Sequence, residues 1–338
     1  MAIAGRNAVT LKDVVVGDVW VCSGQSNMAW PVRKSRDADA EIAAVDLPLI
    51  RLFQVRGRVA EEPQRDMPGA WTPVTPKSVE HFSGVGYFFG RKLHRDLGVP
   101  VGLFGAAQGG TPAEAWVGLA TLRADPDFLP ILARWERALA EYPRARAAYD
   151  AEMAAWKEAA ARAESEGRPK PPAPPWPLGP EHPGRPAELY NGMVQPLTPY
   201  TIRGVVWYQG ESNAPRAHQY RRLFPALIRN WRADWGQGDF PFLIVQLANF
   251  MAVRPEPGES TWAELREAQL MTLSVPNTGM AVAVDVGERL ALAAEGIVHG
   301  ETVVHSGPIF RSMKAGGGKA RLRFDHGGEG WRRRGAGR

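Results

Sequence analysis

VWVCSGQSNM, residues 19–28, decides the fold. Val19 to Cys22 is an unbroken run of branched, aromatic and small apolar side chains, the pattern of a strand buried on both faces. Gly24 and three polar residues, Gln25, Ser26 and Asn27, follow with only Ser23 between, so the strand must end in a tight turn. In an open parallel sheet such turns stand at the carboxyl edge, where ligands bind.

The same unit recurs along the chain. Val101 to Phe104 leads to QGGTPAEAW (Gln108 to Trp116), and Val205 to Tyr208 runs into YQGESNA (Tyr208 to Ala214). Phe242 to Leu247 carries Gln246 with Asn249 just beyond, and Met280 to Val284 is followed by Asp285. Gly86 to Leu97, Arg221 to Trp235 and Trp262 to Leu273 place apolar residues at helical spacing between these runs. The alternation predicts a three-layer α/β/α doubly wound parallel sheet, flavodoxin-like in architecture, with polar segments from separate parts of the chain meeting at one edge.

Residues 17–300 are expected to form this domain. A segment of different composition, 121–186, interrupts it: Phe128, Leu132, Trp135, Leu139 and Tyr142 recur at helical spacing, Pro143 intervenes, and Tyr149, Met153 and Trp156 resume the pattern before a Pro-rich stretch from Pro169 to Pro183. Two amphipathic helices and an extended return are expected, packing on the core as a scaffold insertion. At the ends, NAVTLKDVVVGD and KARLRFDHGG alternate like single strands with too little neighbouring sequence to build a sheet. Residues 1–16 and 301–338 are therefore read as truncated remnants of flanking β-regions, the second ending in a basic tail.

With 338 residues, 44% of them hydrophobic, the chain can bury a sizeable core. Its apolar runs are strand-length and fall short of the roughly 20 residues that cross a bilayer, so no membrane partner is expected. The N-terminus has no apolar stretch of signal-peptide length. One cysteine, Cys22, excludes an intrachain disulfide and reads as a buried small hydrophobe. The net charge of +5 is concentrated from Arg311 onward, where nine Lys or Arg stand against two Asp or Glu. The rest is slightly acidic, so a nucleic-acid partner is not expected. Nothing implies a metal or a cofactor, and oligomeric state is not legible.

Acyl transfer needs a nucleophile, donors aimed at a developing oxyanion, and a base. Ser26, at a strand end where a following helix would lend backbone N–H groups, fits the nucleophile. Gly109 and Gly110 allow backbone N–H to approach a substrate oxygen, and Gln209 or Asn213 offers a side-chain amide.

Together the segments Gly24–Met28, Gly109–Trp116, Leu189–Met193, Trp207–Asn213, Gln246–Phe250, Trp262–Gln269 and Thr278–Val282 resemble, in order, the sialate O-acetylesterase family of SGNH-type hydrolases. The resemblance implies a metal-independent serine esterase acting on acetylated sialic acid or related sugars, with members often secreted or periplasmic. It implies Ser26 as nucleophile, Gly109, Gly110, Gln209 and Asn213 as oxyanion-hole candidates, and Gln25, Asn27, Asn191, Glu211 and Trp116 as substrate-side residues, Trp116 by stacking on a sugar face. One departure stands out. Family members follow the last strand with an Asp-x-x-His-Pro segment that supplies acid and base, whereas this chain reads VDVGERLALAAEG and passes directly into a helix expected near Glu288. None of the seven histidines replaces it by motif, with His299 and His305 the nearest to substitutes. The expectation is a carbohydrate O-acetylesterase impaired by loss of its base; a catalytically inactive carbohydrate-binding homologue and a polysaccharide (xylan) acetylesterase are the alternatives.

Overall fold

The computed structural model describes residues 1–326 other than 58, 253–255, 257, 283, 284, 308, 317 and 318. The strands are β1 (Ala2–Ala4), β2 (Ala8–Thr10), β3 (Asp18–Gly24), β4 (Leu47–Gln54), β5 (Thr72–Val74), β6 (Val101–Ala107), β7 (Gly204–Tyr208), β8 (Phe242–Gln246), β9 (Thr278–Val282), β10 (Ile309–Gly316) and β11 (Lys319–Asp325). The helices are α1 (Ala38–Ala44), α2 (Pro76–Val79), α3 (Gly84–Leu97), α4 (Leu119–Ala124), α5 (Leu129–Ser165), α6 (Ala217–Trp235), α7 (Thr261–Met271) and α8 (Val286–Val298).

Seven strands form one sheet in the order β5-β4-β6-β3-β7-β8-β9, parallel except for the edge strand β5. From β3 the chain first builds outward through β4 and β6, then crosses to build β7, β8 and β9 on the other side. The carboxyl end of β3 is thus the switch point, where neighbouring loops diverge and leave a crevice. All five expected strands are present; β4 and β5 extend the sheet beyond them, because LPLIRLFQ mixes polar and apolar residues and reads weakly as a buried strand. The last expected strand runs to Val282; Ala283 and Val284 lie outside the described residues.

Both faces of the sheet are covered. Trp20 of β3 is fully buried edge-to-face against Phe89 of α3 at 5.0 Å, and α8 packs beside α3. Around Trp207 of β7, Trp116, Phe224, Trp231 and Phe242 form an aromatic cluster beneath α6. Burying several rings of this size, each worth roughly 1.5–3 kcal/mol, is what fixes the positions of the strand ends. Cys22 is buried there as expected, and burial pushes its thiol up to about 12.

The insertion departs from expectation. Leu129 to Ser165 is one continuous 37-residue helix with Pro143 inside it. Proline removes one backbone donor and disturbs the preceding turn. Here both halves are rich in Ala, Arg and Glu, which carry the helix through. The Pro-rich return also braces it: Trp156 Nε1 donates to the Pro171 carbonyl, and Gly179 lies against the Tyr142 ring, so close that a β-carbon there would meet it at 2.1 Å. The end segments form separate two-stranded antiparallel ribbons, β1 with β2 and β10 with β11. Each supposed lone strand therefore finds one partner. Among the described residues, no helix is long and apolar enough to cross a membrane. The basic tail beyond His326 lies outside the described residues.

Candidate active site

Gly24 has φ +141°, and a β-carbon there would lie 2.1 Å from the Tyr208 carbonyl oxygen. Only glycine lets β3 turn this close to β7. Gln25 N–H donates to the Tyr208 carbonyl at 2.9 Å, and Gln25 Oε1 accepts the Gly210 N–H at 3.2 Å. Gln25 is buried, so its amide locks the two turns together and is not presented to substrate. Ser26 follows at the exposed tip.

The helix expected after Ser26 is absent. A single turn closed by Ala29 N–H to the Gln25 carbonyl leads to a short 3₁₀ turn at Val32–Lys34, and α1 begins only at Ala38. Pro31 explains this, since it has no N–H to donate and disfavours helix in the residue before it. Electrostatic help for an oxyanion must therefore come from individual backbone N–H groups.

Those groups are in place. A β-carbon built on Gly109 would stand 3.6 Å from Ser26 Cβ and 4.0 Å from Ser26 N, so the glycine loop lies directly against the serine. Gly110 takes a left-handed φ of +73° with open space beside it. Among the described residues, the backbone N–H groups of Ser26, Gly109 and Gly110 make no hydrogen bond, nor does the Ser26 hydroxyl. Unpaired backbone donors at Ser26 and on the adjoining glycine loop, beside an exposed hydroxyl, are the kind of group that can meet negative charge on a carbonyl oxygen.

The side-chain amides do not join them. Gln209 is buried, with Nε2 donating to Asn213 Oδ1 at 2.8 Å and to the Thr111 carbonyl at 3.3 Å. Asn213 Nδ2 donates to Glu114 Oε2 at 2.9 Å, and its residue is 1% exposed. Both brace the Gly109–Gly110 loop from behind, a tertiary role that their exposed-looking motif conceals. Asn191 is likewise turned inward, donating to the carbonyls of Ala60 and Glu61 at 3.1 and 2.8 Å. Trp116 has no exposed surface; its Nε1 donates to Thr111 Oγ1 at 3.0 Å and its ring meets Trp207 edge-on. Stacking on a sugar is excluded for it by burial. Asn27 remains beside the site, partly exposed, donating to Glu211 Oε1 at 2.5 Å. Burial raises the Glu211 carboxyl above its ordinary value, and its buried Oε2 has no hydrogen-bond partner among the described residues. Tyr208 is pushed up to about 12 by burial and by the Glu211 charge.

The histidines are distributed unfavourably. His299 faces Asp18 at 3.3 Å, at the amino end of β3 and so the opposite edge from Ser26. His305 lies against Gly296, well along α8, and His182 is held between Trp135 and Trp176. α8 begins at Val286, earlier than expected, with Asp285 in a left-handed conformation before it. Gly287 packs so tightly on α3 that a β-carbon would meet Phe88 Cβ at 2.7 Å. His81, which no motif singles out, lines a cavity of about 480 Å³ together with Met28 and Ala29 of the serine's own turn, Gln54 and Arg56. It comes from the segment before α3. On the other flank, Asn27, Trp30, Phe88, Tyr208 and Gly287 enclose about 360 Å³.

A family model described as "carbohydrate esterase, sialic acid-specific acetylesterase" matches residues 181–302. The chain is 31% identical to rat sialate O-acetylesterase over 90% of its own length and 61% of the rat protein's, and 29% identical to the human protein over 82% and 49%. It therefore spans about half to three-fifths of the length of these curated relatives. A carbohydrate acetylesterase from Xanthomonas citri superposes with a TM-score of 0.75 at 35% identity, covering 96% of this chain and 66% of that one. The mainly parallel seven-stranded sheet with its flanking helices, and its likeness to that acetylesterase, place the chain in the SGNH hydrolase class. Within that class, the chain belongs to the sialic acid-specific acetylesterase family of carbohydrate esterases.

Proposed function

We propose that residues 17–300 form a carbohydrate O-acetylesterase domain in which Ser26 attacks the acetyl carbonyl of an acetylated sugar. The observation that carries this reading is the unpaired hydroxyl of Ser26 beside the free N–H groups of Ser26, Gly109 and Gly110. As Ser26 Oγ bonds to the carbonyl carbon, the carbonyl oxygen becomes an oxyanion within reach of those donors. Its collapse expels the sugar oxygen, which takes up a proton, and water then releases acetate from the serine ester. The sugar lies in the cavity bounded by Gln54, Arg56 and His81, where polar groups and open volume adjoin the turn.

The serine proton needs an acceptor. Among the described residues no histidine bonds Ser26, so the proton passes to water or solute base, and turnover is slowed by roughly 10²–10⁴-fold relative to a complete triad. That observation also favours a second reading, a carbohydrate-binding domain that keeps the pocket without turnover. Acetate release from O-acetylated sialic acid and from acetylated xylan, measured beside binding of the deacetylated sugars, separates the two. Release that vanishes in Ser26→Ala supports the esterase; binding with release indistinguishable from buffer supports the second reading.

A further inference from the structure

Glu114 is a carboxylate with no exposed surface, and the acyl-transfer reading leaves it without a role. Its partners are unusually many. Oε1 accepts from Arg134 Nη2 at 2.7 Å and from Arg216 Nη1 at 2.5 Å, and Oε2 accepts from Asn213 Nδ2 at 2.9 Å. A buried charge is costly to desolvate and persists where strong hydrogen bonds compensate it. The three donors come from two places: Arg134 from the second turn of α5, and Arg216 and Asn213 from the turn after β7.

The network continues into the glycine loop. Asn213 Oδ1 accepts the Ala113 N–H at 2.8 Å and Gln209 Nε2 at 2.8 Å. Gln209 Nε2 also reaches the Thr111 carbonyl at 3.3 Å, and Thr111 Oγ1 donates to the Gln108 carbonyl at 2.8 Å. Residues 108, 111, 113 and 114 are thus tied from behind, while the N–H groups of Gly109, which lies against Ser26, and of Gly110 make no hydrogen bond among the described residues. Two consecutive glycines have the least intrinsic stiffness of any pair. Oxyanion donors act through fixed placement, so their order must be supplied by the residues that flank them.

We propose that Glu114 is the positioning residue for the Gly109–Gly110 donors, and that Arg134 makes the helical insertion part of the same device by anchoring Glu114 to α5. This rests on the acyl-transfer reading. The insertion is then more than a scaffold addition: the root of α5, where Ile131 and Trp135 are buried, is joined to the site through one carboxylate.

The test uses the whole chain with Glu114→Gln, Arg134→Met and Arg134→Lys. Glutamine keeps the shape but places an N–H₂ against donors, and lysine keeps the charge without the planar fork. Backbone hydrogen exchange is read at residues 108–114, and benzeneboronic acid is titrated as a tetrahedral anionic adduct on serine that needs no proton-transfer base. In Glu114→Gln and Arg134→Met, exchange at Ala113, whose N–H is held by Asn213 Oδ1, is expected to quicken at least about tenfold while β3 and β7 amides hold, and the boronate to bind at least about tenfold more weakly. Arg134→Lys is expected to recover part of both. Unchanged exchange, or faster exchange with unchanged boronate affinity, overturns the proposal. If Glu114→Gln does not fold, Arg134→Met decides alone by the same two readings. A parent chain that binds boronate no better than Ser26→Ala overturns the acyl-transfer reading and this proposal with it, a failure distinguishable because it occurs before any network residue is changed.

Discussion

Gly109 lies so close to Ser26 that a β-carbon on the glycine would stand 3.6 Å from the serine's own Cβ. That is ordinary contact, so the space between them is filled by one methyl and no more. Gly109→Ala is expected to fold normally, whereas Gly109→Val crowds the place of the substrate oxygen. Any acetyl release, or boronate affinity in its place, should fall at least about tenfold in the valine variant with little change in melting temperature, because the residue is exposed. Full retention of both would move the oxyanion site elsewhere.

Ser26→Ala removes a hydroxyl that makes no hydrogen bond among the described residues, so it leaves no buried partner unpaired. Stability should change by less than about 0.5 kcal/mol and sugar affinity hardly at all, while acetate release drops to the solution rate. The comparison needs only a denaturation curve, a sugar titration and an acetate assay.

Gly24→Ala presents the opposite case. Its β-carbon would overlap the Tyr208 carbonyl oxygen at 2.1 Å, in a backbone region that side chains rarely enter. Strand β3 would have to separate from β7 at the switch point, at a cost of about 3 kcal/mol or more. A shifted denaturant midpoint at constant slope measures it. Stability equal to the parent's would show that the β3–β7 turn is not built as described.

Glu188 gives a pH signature. Burial pushes its carboxyl up to about 7 from an ordinary 4.5, against the opposing pull of Arg185 at 2.7 Å. An acid whose folded value is raised folds best protonated, so its contribution is complete below about 4.5 and is lost as pH rises through about 7. Glu188→Gln should therefore gain on the parent by roughly 1–3 kcal/mol between these limits, allowing for the weakened Arg185 contact. Parallel stability curves for the two proteins across that window would rule this out.

Supplying an Asp-x-x-His-Pro segment is the direct test of the proposal that turnover is slowed for want of a base. Gly287 is pinned against α3, so an Asp-x-x-His-Pro segment has to be inserted ahead of Asp285, not within the start of α8. The grafted chain is expected to release acetate at least about tenfold faster than the parent. If it folds with unaltered stability and releases none, loss of that segment is not the cause.

The sequence by itself determined the layers and the place of Ser26 at the carboxyl edge of the sheet. Strand-length apolar runs ending in glycine and polar residues can satisfy their buried backbone only as a covered parallel sheet, and such a sheet sends every polar end to one edge. Ser26, Gly109 and Gly110 could therefore be placed at that edge before any geometry was known. What Gln25, Asn191, Gln209, Asn213 and Trp116 do was decided only by tertiary structure. A motif says that a residue is near the edge, but not whether its amide turns toward the crevice or back into the protein, and each of these turns back because a buried carbonyl, N–H, hydroxyl or carboxylate there must be paired. Glu114 shows the same limit from the other side. Between two alanines in PAEAW it gives no sign that arginines 20 and 102 residues away will meet it, since charge pairing across the fold has no period along the chain.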